Sequence, residues 1–322
     1  MQSVSVIATV LNEAENIPRL VNSLLRQDPP APEILIVDGG SSDGTWEWLS
    51  DAAAQHSTLR AIRDETCSLK FTPGPVSKGR NVAIASATNE VIACADAGCT
   101  YASDWLTNLT TPLMRGEAEY ALGGACLDMA DPTVWDLASA PFFGVKLSPD
   151  APSKSCTARS MAFTKDLWRR IGGFPESVLL GDDTVFDLEA RRRVPPAFVR
   201  ARALYRPQNS LPSACKQLTR YAISDGILGV RFTRLARNAV RCIGEVVALV
   251  LIPWTWIPLA IVLVLMLHFA FEQDWLFMRT LKPRVLLARV VFSTAVPWII
   301  AINQIRGALT KKEPGNAQNA QT

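Results

Sequence analysis

The chain has 322 residues, of which 48% are hydrophobic and 20% charged, so it is long enough to bury a full core. Residues 231–322 carry 11 basic and 4 acidic side chains, whereas residues 1–230 carry 22 basic and 26 acidic ones. A mildly acidic body with a basic, apolar tail is typical of a soluble domain attached to an anionic surface. The body lacks the basic, aromatic-rich stripe of a nucleic-acid-binding protein, so we exclude that partner class.

Histidine and cysteine usage excludes further classes. The chain has 2 histidines and 7 cysteines, and no cysteines are spaced as a Cys-x-x-Cys pair. This argues against a disulfide framework, a zinc site and histidine-based catalysis. The sequence begins directly in a predicted strand without a signal peptide, so we expect the body to lie on the cytoplasmic side of the membrane.

Two short apolar strands begin the body, and polar residues follow each of them. The first precedes Asn12 and Glu13, and the second leads into Asp38 and a Gly-Gly-Ser-Ser-Asp43-Gly-Thr loop. Ligands of open α/β sheets bind outside the carboxyl ends of the strands, so these four side chains are placed where a ligand would bind. The loop has no lysine and is not a P-loop, but its acids suit hydrogen bonds from a base or ribose.

Strands and helices alternate through the rest of the body. We predict helices over residues 16–26 and 78–87 and from about residue 104, and strands over residues 59–62, 91–95, 120–123 and 160–164. This alternation predicts an α/β fold with a mostly parallel sheet and helices on both faces. Residues 127–155 show no periodicity, and we expect an irregular segment there.

Three places in the body carry candidate chemistry. Asp96 follows a predicted buried strand and could hold Mg²⁺ or Mn²⁺ against a diphosphate, although an aspartate before Ala-Gly can also simply cap a turn. Asp182 and Asp183 are adjacent carboxylates, which suits a general base, with an N-cap as the alternative. Arg80 stands at a helix start, where it could pair with a phosphate or belong to a solvated basic turn.

The tail has the features of a membrane-attached segment. Polar residues recur at helical spacing from Arg231 to Glu245 with apolar residues opposite, which predicts an amphipathic interface helix over residues 231–252, with an ordinary surface helix as the alternative. A charge-free run of 26 residues, 246–271, is long enough to cross a bilayer, and the tryptophans indicate a span over 254–275. A second charge-free run covers residues 290–305, so we expect one or two spans within 253–310 and a disordered tail over 311–322.

Taken together, these motifs resemble a known family. The strand ending at Glu13, the loop from Asp38 to Thr45, the Lys-Gly-Arg80-Asn turn, Asp96-Ala-Gly98, and Gly-Gly-Phe followed by Gly-Asp-Asp183 occur in that order, with Gln217-Leu-Thr-Arg220-Tyr221 after them. The ordered set is similar to family 2 glycosyltransferases with the GT-A fold, in their membrane-attached form. The resemblance covers about residues 3–230, which would be the GT-A domain.

The resemblance implies a role for each matching residue. Nucleotide-sugar binding is implied for Asn12, Glu13, Asp38, Asp43, Arg80 and Asp96. Asp96 matches the first acid of the family's Asp-x-Asp metal motif, so Mg²⁺ or Mn²⁺ is implied as a weakly held cofactor. Asp183 matches the catalytic base, and Asp182 its acidic neighbour. Gln217, Arg220 and Tyr221 match a Gln-x-x-Arg-Trp element on the acceptor and diphosphate side, with tyrosine in place of tryptophan.

One position departs from the family pattern, because Gly98 stands where the second metal-binding acid is expected. The implied function is inverting transfer of a sugar from a nucleotide-diphospho-sugar to a lipid-linked saccharide, glycolipid or polysaccharide precursor at the cytoplasmic membrane. Two alternatives are a catalytically weak membrane scaffold that binds nucleotide-sugars, which the missing acid suggests, and a sugar nucleotidyltransferase, which would not explain the membrane-attached tail.

Overall fold

The computed structural model describes residues 3–147, 157–207, 210–251 and 283–310. The chain divides into two compact units. The first contains Met1–Asp128 and Pro149–Arg206, and the second contains Met129–Ser148 and Pro207–Thr322. Each unit encloses an apolar cluster of its own.

Both units contain strands and helices. The strands of the described residues are β1 (Val4–Val10), β2 (Glu33–Asp38), β3 (Leu59–Arg63), β4 (Val91–Cys94), β5 (Cys99–Tyr101), β6 (Tyr120–Leu122), β7 (Ala125–Leu127), β8 (Val145–Lys146), β9 (Met161–Thr164), β10 (Ala197–Phe198) and β11 (Ala203–Tyr205). The helices are α1 (Ile17–Leu25), α2 (Thr45–Gln55), α3 (Pro75–Ser86), α4 (Trp105–Met114), α5 (Val134–Ser139), α6 (Lys165–Ile171), α7 (Asp182–Arg191), α8 (Leu211–Leu228), α9 (Phe232–Leu251) and α10 (Pro283–Thr310).

A seven-stranded sheet in the order β10-β6-β9-β4-β1-β2-β3 forms the centre of the first unit. Strand β1 runs parallel to β2 and β4, and β9 runs antiparallel between β4 and β6. The central strands β2 and β4 are buried along their whole length, which explains their uninterrupted apolar sequences. Because β1, β2 and β4 are parallel, the loops that follow them leave the sheet at the same edge.

A smaller sheet fixes the turn after β4. Strand β11 pairs antiparallel with β5 and parallel with β7. The Arg206 backbone N–H also donates to the Gly98 carbonyl oxygen at 3.2 Å. The turn from Asp96 to Gly98 is therefore held between the large sheet and this small one.

The second unit is a group of helices in which α8 packs on α10. Phe292, Val296 and Ile300 of α10 share a buried cluster with Ala214 and Leu218 of α8. Among the described residues, α10 is the helix that is long and apolar enough to cross a membrane, and 47% of its most apolar stretch is buried inside the protein. Its partly buried character is also that of a helix packed on protein.

The structure confirms the predicted α/β class and the mostly parallel sheet. It corrects two local expectations: helix α2 follows the Asp43 loop, where none was predicted, and α5 lies within the stretch expected to be irregular. Helix α3 begins at Pro75 and not at residue 78, because proline suits the first helical turn.

Boundaries in the tail remain predictions. Helix α8 belongs to the second unit together with the tail, whereas the predicted GT-A domain ended at residue 230. The predicted span over 254–275 and the tail over 311–322 lie outside the described residues, and the run 290–305 lies within α10.

Candidate active site

The loops after β1 and β2 are joined by hydrogen bonds from backbone N–H groups to side-chain oxygens. The Asn12 N–H donates to Ser41 Oγ at 2.8 Å, and the Ser42 N–H donates back to Asn12 Oδ1 at 3.0 Å. The next residue, Glu13, donates its N–H to Thr45 Oγ1 at 2.8 Å. Asn12 has a left-handed backbone with φ of 55°, which asparagine tolerates better than most residues. The two polar segments predicted to lie together therefore form one surface.

Asp38 shapes this surface from within. Its carboxylate is fully buried and accepts hydrogen bonds from the backbone N–H groups of Gly40 and Ser41 at 3.1 and 3.0 Å. Gly40 has φ of 94°, so the loop turns back over Asp38 in a conformation that favours glycine. Contact between Asp38 and a nucleotide stays a prediction, because in this structure its carboxylate bonds its own loop.

Asp43 ties the same loop to the residue after Glu13. Its Oδ2 accepts the Ala14 N–H at 3.0 Å, and its Oδ1 accepts the Thr45 N–H at 3.1 Å and the Thr45 hydroxyl at 2.5 Å. The Thr45 hydrogen bonds, followed by the one from Ala14, hold the pKa of Asp43 below its ordinary value. Asp43 is thus an ionised support of the loop.

Glu13 is harder to ionise than an exposed glutamate. Burial raises the pKa of its carboxyl, and the charges of Asp96 and Asp43 raise it further, while a 2.7 Å hydrogen bond from the Asn16 amide opposes the shift. Because the Asp96 charge acts on Glu13, the residues that follow β1 and β4 share one electrostatic environment. A polar ligand with N–H or hydroxyl groups would relieve it.

Asp96 stands at the end of β4, as the sequence predicts, and is half-exposed. Its backbone N–H donates to the Tyr101 hydroxyl at 2.9 Å, and that hydroxyl donates to the Arg159 carbonyl oxygen at 2.9 Å. The Arg159 Nε lies 3.6 Å from Asp96 Oδ2. A single tyrosine hydroxyl therefore fixes both members of an ion pair.

Gly98 faces an aromatic ring where a second acid would stand. A Cβ added at Gly98 would lie 3.3 Å from the Tyr205 ring, and the Arg159 guanidinium lies 4.2 Å from the centre of the same ring. An aromatic–cation pair therefore occupies the side of the site that a second metal-binding carboxylate would use.

The donor set suits a hard divalent cation with one protein ligand. Within the described ranges, no group of three or more histidine, cysteine, aspartate or glutamate side chains is placed to hold a metal. Asp96 does offer a half-exposed carboxylate, and Mg²⁺ commonly binds through one or two carboxylates with substrate phosphates and waters. The residues fit such an ion if a diphosphate supplies further oxygens.

Asp182 and Arg80 form a buried ion pair behind the site. Asp182 begins α7 after Gly181, and its carboxylate pairs with the Arg80 guanidinium, which also lies 5.4 Å from the centre of the Phe174 ring. Burial raises the pKa of Asp182, and Arg80 partly offsets that shift. Arg80 was predicted to face the nucleotide; the structure engages its guanidinium with Asp182, and nucleotide contact stays a prediction.

Arg80 also connects the other acids electrostatically. Burial disfavours its charge, but Asp182, and to a smaller extent Asp96 and Asp183, raise the pKa of Arg80 above its ordinary value. The guanidinium is therefore a fixed positive charge close to the acids at the end of β4 and the start of α7.

Asp183, the predicted base, is half-buried beside the same group. Its Oδ1 accepts the Thr184 N–H at 2.7 Å, and its Oδ2 lies 3.4 Å from the Ala158 N–H. These bonds orient the carboxylate at the start of α7. Ala158 precedes Arg159, so one short segment contacts both Asp183 and Asp96.

Sequence reasoning missed Arg159 and Tyr205, and it assigned no role to Asn81. Arg159 and Tyr205 lie outside the motifs, and their contacts become visible only when β11 is paired with β5. Asn81 follows Arg80 in α3, and its amide bonds the Phe174 N–H and carbonyl oxygen, both at 2.9 Å. It therefore holds the loop before α7.

The remaining predicted residues lie in the second unit. Gln217, Arg220 and Tyr221 are half-buried on α8, and the Gln217 amide donates to the Tyr221 hydroxyl at 3.2 Å. The Tyr221 ring also meets Phe143 edge-on at 6.1 Å. Their assignment to the acceptor side stays a prediction.

Comparison with known proteins matches this geometry to one family. The model described as Glycosyl transferase family 2 matches residues 5–171. The chain is 26% identical to glycosyltransferase AglE from Haloferax volcanii over 197 residues, which are 56% of this chain and 58% of that protein. It therefore spans less than two thirds of the length of this curated relative.

Two solved structures are similar in fold. The mannosyltransferase PcManGT from Pyrobaculum calidifontis, in complex with GDP-Man and Mn²⁺, is 18% identical with a TM-score of 0.66, and the match covers 97% of this chain and 88% of that one. TarS from S. aureus, in complex with UDP-GlcNAc, is 16% identical with a TM-score of 0.50, covering 96% and 91%. At these identities the similarity shows the fold alone.

Proposed function

Because the chain belongs to glycosyltransferase family 2, we propose that it transfers a sugar, with inversion, from a nucleotide-diphospho-sugar to an acceptor hydroxyl held at a membrane surface. The observation that carries the proposal is that acids from the end of β4 and the start of α7 meet at one place. Arg80 pairs with Asp182, and the short segment Ala158–Arg159 contacts both Asp183 and Asp96.

The proposed donor site runs along this edge of the sheet. The surface formed by Asn12, Glu13 and the Asp38–Asp43 loop would receive the base and ribose, because its acids and amides can accept hydrogen bonds. The diphosphate would then lie near Asp96. A Mg²⁺ or Mn²⁺ ion held by Asp96 would supply positive charge to the departing diphosphate; PcManGT, which shares the fold, was solved with Mn²⁺ and GDP-Man.

Asp183 is proposed to take the acceptor proton. A carboxylate held by the Thr184 N–H keeps one orientation, and it would remove the proton from an acceptor hydroxyl as that oxygen attacks the anomeric carbon. The carbon–oxygen bond to the diphosphate breaks as the new glycosidic bond forms. Since a lipid phosphate is already a nucleophile and needs no base, Asp183 favours a hydroxyl on a lipid-linked saccharide or glycolipid.

The orientation of α9 supports an acceptor at a membrane. In a water-exposed surface helix the apolar side faces the protein, but here Asn238 and Cys242 are buried while Val240 and Ile243 are 69% and 63% exposed. Arg234 pairs with the buried Asp225 at 3.2 Å, so a polar side of α9 is turned towards the rest of its unit. An outward apolar side next to basic residues suits the headgroup layer of a bilayer. We propose the cytoplasmic face of the membrane as its location.

The test is turnover by the full chain and its Asp183→Asn variant in detergent. Wild-type protein is screened with UDP-, GDP- and dTDP-sugars and a native lipid extract, measuring nucleotide release and sugar incorporation into lipid. Asp183→Asn should lower transfer by about 10²–10⁴-fold while leaving donor binding intact, because the base acts only on the acceptor. Asp166→Asn, the same change at an exposed ion pair on α6, should behave as wild type.

Three outcomes would count against the proposal. If Asp183→Asn transferred sugar at the wild-type rate, Asp183 would not be the catalytic base. Donor binding without turnover in any extract would favour a nucleotide-sugar-binding scaffold. Pyrophosphate release from a nucleoside triphosphate would identify a nucleotidyltransferase instead.

A further inference from the structure

We propose that Arg159 binds the donor diphosphate and supplies positive charge on the side of the site where Gly98 replaces an acid. This inference rests on the proposed function, because it assumes a nucleotide-diphospho-sugar as the donor. It makes Arg159 a binding residue for the diphosphate, and it implies that a nucleoside diphosphate binds in the absence of a divalent metal.

A hydrogen bond to its backbone carbonyl and an ion pair with Asp96 hold Arg159 in place. Its backbone carbonyl and the Asp96 backbone N–H share the Tyr101 hydroxyl, each at 2.9 Å. Its side chain is only 16% exposed, and its Nε lies 3.6 Å from Asp96 Oδ2. A guanidinium held at this distance from the proposed metal ligand lies within reach of a diphosphate bound there.

Tyr205 fixes the orientation of the guanidinium. The ring centre lies 4.2 Å from the guanidinium carbon, a cation–π distance, and the ring occupies the space next to Gly98. An aspartate at position 98 would have its Cβ 3.3 Å from this ring, on which the Arg159 guanidinium stacks. The absence of a second acid and the stacked arginine are therefore parts of one arrangement.

The acids around the site would repel a diphosphate, and Arg159 would offset that repulsion. Glu13, Asp96 and Asp183 are half-exposed acids of the proposed site, and Arg80 is already paired with Asp182. A diphosphate would add negative charge to a place that is already acidic. The planar guanidinium matches phosphate oxygens with paired N–H donors, so Arg159 can offset this repulsion directly.

The experiment measures binding and not activity. Isothermal titration calorimetry of the full chain in detergent uses UDP, GDP and dTDP, with EDTA or with Mn²⁺. With EDTA, Arg159→Gln should weaken binding of the best-bound nucleotide by about tenfold or more, the effect of a lost hydrogen bond to a charged group. The same variant should lose less affinity for the corresponding nucleoside monophosphate, which lacks the second phosphate. Arg159→Lys should fall between, because it keeps the charge and loses the fork.

Two controls separate charge at this position from charge in general. Arg202→Gln removes a half-buried arginine that bonds the Val199 carbonyl oxygen at 2.9 Å, and it should bind as wild type. Asp96→Asn with EDTA should bind the nucleotide as well as wild type or better, because it removes repulsion. If Arg159 merely positioned Asp96, its variants would show their loss only with Mn²⁺.

The outcomes distinguish this inference from the proposed function. Equal nucleotide affinity of Arg159→Gln and wild type with EDTA overturns the role of Arg159, and so does wild-type binding that requires Mn²⁺. If wild type binds none of the three nucleotides under either condition, the proposed function fails as well. Should Arg159→Gln not fold, Arg159→Lys decides: an unchanged affinity overturns the inference and a several-fold loss supports it.

Discussion

The ion pair between Arg80 and Asp182 makes a strong prediction for stability. The side chains are 6% and 11% exposed, so Arg80→Met would leave a buried carboxylate without its counter-charge. We expect a loss of about 3–5 kcal/mol in the free energy of unfolding, measured by urea denaturation of the detergent-solubilised protein.

The double variant identifies the cause of that loss. Arg80→Met combined with Asp182→Asn removes the unpaired charge, so it should regain a large part of the stability. Equal destabilisation of the single and double variants would mean that lost packing against Phe174, and not the buried charge, dominates.

Glu13 predicts that stability changes with pH, because ionisation of its carboxyl destabilises the folded protein. Its pKa is raised from 4.5 by burial first, so the folded state binds its proton more tightly than the unfolded state does. The carboxyl therefore lowers stability as pH rises through the interval from 4.5 to the raised value. Glu13→Gln should raise the melting temperature at about pH 8 and leave it unchanged at about pH 4.

A matched variant shows whether this difference belongs to Glu13. Glu117 is an exposed carboxylate of the same unit, and Glu117→Gln, the same change at a solvated position, should leave the melting temperature close to that of wild type. The Asn16 amide can still donate to the glutamine oxygen, so Glu13→Gln keeps that contact. A melting temperature difference that does not grow with pH would contradict the raised pKa.

Residue types were predictable here, but their partners were not. Asp96 and Glu13 could be placed because polar residues after buried parallel strands must reach the same edge. The pairing of Arg80 with Asp182 joins α3 to α7, and the stacking of Arg159 on Tyr205 depends on β11. Such contacts join residues far apart in sequence, and no local pattern encodes them.

At the scale of elements, α8 and α10 touch through two glycines. A Cβ at Gly226 would lie 2.0 Å from the Gln304 carbonyl oxygen, and one at Gly307 would lie 2.1 Å from that of Ile223. Gly226→Ala must push the two backbones apart, and we expect it to cost about 1–3 kcal/mol or more, read from thermal unfolding in detergent.

Gly244 is the matched control, since it lies in α9 with nothing within 4 Å of an added Cβ. The same substitution there should stabilise the protein by about 0.5–1 kcal/mol, because alanine loses less backbone entropy in a helix than glycine. If Gly226→Ala also stabilised the protein, the close approach of α8 and α10 would be wrong.

Element prediction succeeded where periodicity was long. The buried strands β1, β2 and β4 and the amphipathic helix α1 were identifiable, because their apolar patterns persist over several residues. The three-residue strands β5, β7 and β11 carry too few residues for a period, and β11 is strand only because it pairs with β5 and β7. Helix α2 was not predicted because it lacks an extended apolar face: Thr45 and Leu49 are its only buried residues.

At the scale of the whole molecule, the charge asymmetry and the outward apolar side of α9 lead to one expectation. Residues 231–322 carry the basic excess, and α9 exposes Val240 and Ile243 next to arginines. Burial of these apolar side chains in lipid would remove their contact with water, while arginines near an anionic surface contribute about 1 kcal/mol each. We therefore expect the outward side of α9 to lie in the headgroup layer of an anionic bilayer.

A fluorophore on α9 reports this directly. Ile243→Cys is labelled in a background where Cys156 and Cys215 are replaced by serine, and the full chain is reconstituted into anionic vesicles containing brominated lipid. Contact with acyl chains should quench the label at position 243, whereas a label on Leu69→Cys, an exposed apolar residue of the first unit, should not be quenched. Quenching should weaken in neutral vesicles if the arginines assist docking. An unquenched label at position 243 would mean that α9 does not contact lipid, and the membrane-held acceptor would lose its main structural support.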